Sequence, residues 1–245
     1  MKKSKRVILI VLSVLIILSI IFWGYIFFDV KKDLKEEDLI KNEINLISDL
    51  IEKNGLWDTS VDHRLNSLVT TNEYKWVEKS IKSYYKDYIT LSRDLVNSYS
   101  YDAIYSLFDI DNYIMDGPDF NKSLNYLDSK EKDCLDIYKK LKNMLNEYVI
   151  KSYLDKEIDE YYKDFYDELM IDNNSDILSD LEIEQKEYET FISSVKDVFN
   201  YLKTNKDKWE IDDYQIYFDG QELVDEYNQL LDKVTYYESD FKQNI

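Results

Sequence analysis

The stretch Glu160–Leu169 reads EYYKDFYDEL, with four rings set among acids at Tyr161, Tyr162, Phe165 and Tyr166. An earlier stretch, SYYKDYITL from Ser83, has nearly the same pattern. Such a stretch is either a ring-lined binding surface or the inner side of a helix. Continued to Leu169 and Met170, its apolar positions fall at i, i+1, i+4, i+5, i+8 and i+9, one wide face of one α-helix. Tyr84, Tyr85, Tyr88 and Ile89 repeat that spacing. Tyrosine suits the border of such a face, because its ring can be buried while its hydroxyl stays at the water edge. A glycan-binding surface would also use rings, but it need not continue an aliphatic stripe. The stretch therefore reads as core and core rim, and it points to an all-α fold.

The same period runs outward in both directions. Val30, Leu34, Ile40, Ile44, Ile47 and Ile51 form one stripe, stopped by Asn54-Gly55. Val77, Ile81, Tyr84, Tyr85, Tyr88, Leu95 and Tyr99 form a second, which fades near Phe108 before a turn at Asp116-Gly117-Pro118. A third runs from Cys134 through Ile137, Leu141, Leu145 and Tyr148 to Ile158, Tyr162, Phe165 and Leu169. If unbroken from Ser129, it would be about 60 Å long. The run DNNSD at 172–176 breaks it and offers caps for the next helix, which carries Leu181, Tyr188, Phe191, Val195, Phe199 and Leu202. A last stripe is Leu223, Tyr227, Leu230, Val234 and Tyr237. About five long helices joined by short turns read as an antiparallel bundle.

Composition agrees with helices. The 245 residues include one Pro and four Gly, and 33% are charged, so breakers are few and helix-compatible polar residues many. The single cysteine, Cys134, excludes an internal disulfide and lies in phase with Ile137, Tyr138 and Leu141, as a buried thiol would.

Residues 7–28, VILIVLSVLIILSIIFWGYIFF, carry no charge. At 1.5 Å per residue they would span about 33 Å, which matches a bilayer's hydrocarbon core. The run is too long for the apolar region of a cleaved signal peptide, and Trp23, Tyr25, Phe27 and Phe28 suit a membrane interface. The expected organisation is a short tail and transmembrane anchor at 1–28, bounded by Val7 and Phe28, and an acidic helical-bundle domain at 29–245. The basic cluster MKKSKR before the run favours a cytoplasmic amino terminus and an extracytoplasmic bulk. After residue 28 the chain carries 27 Lys and Arg against 50 Asp and Glu. A surface of that sign repels nucleic acid and anionic lipid.

Chemistry-bearing motifs are scarce. His63 is the only histidine, in VDHRL, and reads as a surface residue. No HExxH, GxSxG, P-loop or GxGxxG occurs, so no catalytic, cofactor or metal residue is assigned. The run Asp172–Glu184 resembles a calcium loop only at its start, with Ile177 where the loop needs Gly and Ile183 where it needs Glu.

One segment leaves the helical period. In NKDKWEIDDYQIYFDG, Asn205–Gly220, Trp209 and Ile211 alternate, as do Tyr214, Ile216 and Phe218 beyond Asp212-Asp213. That pattern predicts a small β-hairpin near 208–218, followed by a helix after Asp219-Gly220. The run Phe199–Leu231 also resembles the carboxy-terminal part of an uncharacterised family of bacterial membrane-anchored helical envelope proteins. The family-like positions are Trp209, Ile216, Phe218, Tyr227 and Asn228. The resemblance implies the same layout, an anchor followed by helices, and brings no activity with it. Many of those proteins are lipoproteins, whereas this chain lacks the acceptor cysteine. Read from the residues alone, Trp209 and Phe218 plug one end of the bundle.

The expected function is a non-enzymatic, single-pass membrane-anchored protein whose helices contact another protein of the cell envelope. The alternative is an extracytoplasmic module that binds a peptide, a wall fragment or a cation. A wall hydrolase using paired carboxylates is the third reading.

Overall fold

The computed structural model describes residues 32–154, 157–171 and 174–244. Val7–Phe28 lies outside them; among the described residues no helix is long and apolar enough to cross a membrane. The chain is mostly helical, with one small two-stranded antiparallel sheet. The described residues divide into two compact units, one holding 32–83, 154 and 157–169, the other 84–153, 170–171 and 174–244.

The first unit contains α1, helical over residues 32–54, and α2, Thr59–Asn66. It also holds the opening turns of α3, Tyr74–Ser98, and most of α8, Glu160–Ile171. Gly55 ends α1 in the left-handed region at φ 84°, and its amide donates to the Ile51 carbonyl at 2.8 Å. This is the helix stop that Asn54-Gly55 announced. Asp58 caps α2 by accepting from the Ser60 amide at 2.7 Å. Ile40, Ile47, Val61, Leu65, Tyr74, Val77, Ile81, Phe165 and Tyr166 are buried here.

The stretch Glu160–Leu169 forms one face of α8. Phe165 and Tyr166 are buried, Tyr162 packs edge-on against Tyr74 at 4.9 Å, and Tyr161 stands at the rim. The Tyr161 hydroxyl donates to Glu37 at 2.6 Å.

The second unit is built around α6, Asn121–Met144, and α9, Asn174–Thr204. On α9, Tyr188, Phe191, Ile192, Val195, Phe199 and Leu202 are fully buried. Each such side chain contributes up to about 2 kcal/mol through burial, as an upper bound. From α6 they meet Leu127, Cys134, Tyr138 and Leu141. The later turns of α3 add Leu95 and Tyr99. Short elements follow α3: α4, Tyr101–Tyr105, a 3-10 turn at Ser106–Phe108, and α5, Ile110–Asp116. β1, Trp209–Asp212, pairs with β2, Gln215–Phe218, and α10, Gln221–Asn244, completes the unit.

Two expectations are corrected by the structure. The third stripe is not one long helix. α6 stops at Met144, and Asn146 starts a separate helix, α7, Glu147–Ser152, by accepting from the Tyr148 amide at 2.9 Å. A side-chain cap is a local bond that hydrophobic period does not reveal. α8 then begins afresh after Asp159, whose carbonyl accepts from the Tyr162 amide. The hairpin is present, but its turn is Asp213-Tyr214, not Asp212-Asp213. Both turn residues have positive φ, 46° and 59°, the backbone of the two-residue turns whose twist matches a hairpin. Tyr214 thereby leaves the inward alternation, and its ring is 70% exposed.

Candidate functional site

In the second unit the chain that ends α5 lies against the hairpin. Asp116 closes α5 and also caps the next helix. Its carboxylate accepts from the Ser123 amide at 2.7 Å, the Ser123 hydroxyl at 2.7 Å and the Lys122 amide at 3.1 Å. Burial alone would raise this carboxyl, but those hydrogen bonds outweigh it and hold it below its ordinary 3.8. Phe120 precedes α6 in the left-handed region, with its ring fully buried.

Trp209 of β1 stacks over Phe120 at 5.9 Å, and its indole N–H donates to the Leu202 carbonyl at 2.8 Å. Gly117 sits directly beneath. A Cβ there would lie 2.5 Å from the Tyr113 carbonyl and 3.1 Å from the Trp209 ring, so no side chain fits. Phe218, opposite Trp209 in the hairpin register, packs on Tyr227 at 5.2 Å. The Tyr227 hydroxyl meets that of Tyr113 at 2.9 Å.

Four of the five family-like positions thus converge on one structure. Trp209, Ile216 and Phe218 face the core from the hairpin, and Tyr227 joins them from α10. Asn228 does not; it is exposed. The other four side chains pack against the hydrophobic core of the unit.

Beside the plug lies a groove of about 650 Å³ along β1, lined by Ile114, Gly117, Pro118, Trp209, Ile211 and Tyr214, with Lys206 and Asp213 at its edges. Part of its apolar lining is open to solvent. Ile114 is 51% exposed, Met115 beside it 72%, and Tyr214 70%. Adjacent exposed apolar residues around a concave wall mark a contact surface more often than isolated ones do. The chain turns at Gly117-Pro118, as Asp116-Gly117-Pro118 predicts, but the groove beside it is not legible from that pattern. The available signal was YIMDGPDF, an apolar pair two residues ahead of the only proline of the chain.

Elsewhere the polar groups are occupied structurally. In the first unit, Glu78 accepts from the Val69 and Thr70 amides and the Thr70 hydroxyl, and pairs with Lys82 at 2.7 Å. Lys82 also reaches Glu43 at 2.9 Å and the Ser67 carbonyl at 2.9 Å, and Arg64 holds the other Glu43 oxygen at 2.7 Å. The network fixes the segment 67–71 through the Val69 and Thr70 amides and the Ser67 carbonyl. His63 is exposed. Cys134 is buried, and burial pushes its thiol up to about 12. In the second unit, Tyr99 donates to Glu184 at 2.5 Å and shares a hydrogen bond with Tyr138 at 2.9 Å. Among the described residues no group of His, Cys, Asp or Glu is arranged to hold a metal ion.

A family model described as Vpu protein matches residues 1–75. Vpu is a viral protein, and the match lies at the opposite end of the chain from Phe199–Leu231. It overturns the resemblance to bacterial envelope proteins, and with it the bacterial assignment. No curated protein and no solved structure matches the chain.

Proposed function

We propose that this is a membrane-anchored, non-enzymatic protein whose acidic helical part holds a protein partner close to the membrane. The observation that carries the reading is the groove at Ile114, Pro118 and Tyr214, where apolar surface stays in water. The uncharged run 7–28 supports the anchor. The basic cluster ahead of it supports a cytoplasmic amino terminus, with the helices on the other side. The long helices, in this reading, form an antiparallel bundle whose end carries the contact surface. The charge balance favours a cationic partner over nucleic acid. A peptide-binding module is the second reading, favoured by the size of the same groove.

The test is site-specific photocrosslinking in intact cells. A crosslinker at Tyr214 should trap a discrete protein adduct. One at Tyr148, 83% exposed and outside the groove, should not. Equal labelling from both positions would count against the reading. Protease treatment of intact cells carrying a carboxy-terminal tag checks the orientation, because an extracytoplasmic tag is lost without lysis.

A further inference from the structure

A groove runs along one edge of the hairpin, that of β1. Among the described residues its sheet has two strands only. On the β2 side, Phe218 packs on Tyr227 of α10. The groove runs on the other side, and its lining takes Trp209 and Ile211 from β1, and Asp213 and Tyr214 from the turn, but nothing from β2.

The register decides which backbone groups look outward. The Asp219 amide donates to the Lys208 carbonyl at 2.9 Å, so Lys208 and Asp219 form a hydrogen-bonded pair. In an antiparallel ladder such pairs alternate with non-bonded ones. With Trp209 opposite Phe218, Glu210 opposite Tyr217 and Ile211 opposite Ile216, Glu210 and Asp212 point their N–H and C=O groups at β2. Trp209 and Ile211 point theirs away, along the free edge. A strand edge of this kind is a template for another extended chain.

The side chains state what that chain should carry. Along the groove the edge meets apolar Ile114, Pro118 and Tyr214. On the outer face Glu210 and Asp212 are exposed, and Asp213 follows in the turn. Lys206 is drawn toward Asp119 at 3.9 Å, and Lys208 toward Asn205. An added strand alternates its side chains between the same two faces. We propose that β1 accepts, as a third strand, an extended segment of a partner protein that alternates apolar residues with Lys or Arg. The apolar residues would lie in the groove and the cations over Glu210 and Asp212. This rests on the reading of the protein as a partner-binding module.

The probe is a short synthetic peptide alternating Val and Lys, flanked by proline to keep it monomeric. It is titrated against the full chain in detergent micelles, with amide hydrogen exchange as the readout. Slower exchange is expected at Trp209 and Ile211. N-methylation of alternate peptide amides should weaken binding about tenfold, since two ladder hydrogen bonds are lost. Ile211→Pro removes one edge donor without touching the β2 ladder and should weaken binding about threefold. The double variant E210K/D212K changes only exposed side chains. It should lose the Val-Lys peptide and gain a Val-Glu one.

Equal binding of the methylated peptide would mean unspecific attraction to an acidic surface, and would overturn the proposal. So would binding that ignores both variants. A concentration-dependent dimer of the chain, abolished by I211P, would assign the edge to a second copy and also overturn it. If crosslinking from Tyr214 traps a partner in cells and I211P leaves the adduct unchanged, strand addition fails while the partner-binding reading stands.

Discussion

The hydroxyls of Tyr113 and Tyr227 meet at 2.9 Å although the residues are 114 positions apart in the chain. Both rings are buried, Tyr113 on Phe120 and Tyr227 on Phe218. The bond ties the last turns of α5 to α10 beneath the hairpin. Replacing Tyr227 by Phe leaves a buried Tyr113 hydroxyl without that partner. The expected loss is about 1–2 kcal/mol, read from urea denaturation. The double variant Y113F/Y227F should lose less than the sum of the singles, because no orphaned hydroxyl remains.

Gly117→Ala should destabilise the second unit by about 2 kcal/mol or more, because the new methyl would press on the backbone carbonyl of Tyr113 and on Trp209. Thermal unfolding followed by circular dichroism checks this. Gly220, whose added Cβ would meet nothing within 4 Å, is the control. Its Ala variant should be much milder.

Trp209→Phe removes the indole N–H that donates to the Leu202 carbonyl while keeping a ring over Phe120. A loss of about 1 kcal/mol is expected. Trp209→Ala should cost more, about 2–3 kcal/mol, kept below the fully buried range because the ring is half exposed. Equilibrium unfolding of the two variants separates the hydrogen bond from the packing.

Glu78 and Glu184 should give stability opposite dependences on pH. Burial alone would raise Glu78, but the Lys82, Thr70 and Val69 hydrogen bonds outweigh it and hold its carboxyl below 4.5. The stability it supplies is present above the unfolded value and is lost as pH falls through the lower folded value. Glu184 is raised above 4.5, chiefly by burial and further by Glu187, against the hydrogen bonds from Tyr99 and Tyr138. Its contribution is full below 4.5 and is lost as pH rises through the raised folded value. Urea midpoints measured across pH should therefore lose part of their acid decline in E78Q. In E184Q they should lose part of their decline on the alkaline side of 4.5.

Cys134 should resist alkylation in the native protein near neutral pH, since burial holds its thiol protonated up to about 12. Maleimide labelling with mass readout should show one adduct after denaturation and almost none before it.

What the sequence disclosed follows from the range of each interaction. Helices with continuous stripes were legible because burial repeats every turn. Tyr188, Phe191, Val195, Phe199 and Leu202 name the buried face of α9 by spacing alone. The hairpin was legible from alternation, but not its turn, because the choice of Asp213-Tyr214 depends on which pair closes the ladder. The break after Met144 was hidden in one side-chain bond from Asn146. The plug residues Trp209, Phe218 and Tyr227 were visible as a pattern. The groove beside them was not, since Ile114 and Pro118 reach Trp209 only through the fold.

The Tyr113–Tyr227 contact also sets an order of events during synthesis. Tyr113 and Phe120 are made long before Phe218 and Tyr227 arrive to cover them. α3 to α7 therefore leave the ribosome with the seat of the plug open to water. The second unit cannot close its core by local contacts alone, and the long loop between the two tyrosines slows the search. Until α10 has emerged, the nascent chain is a substrate for chaperones and proteases at that end.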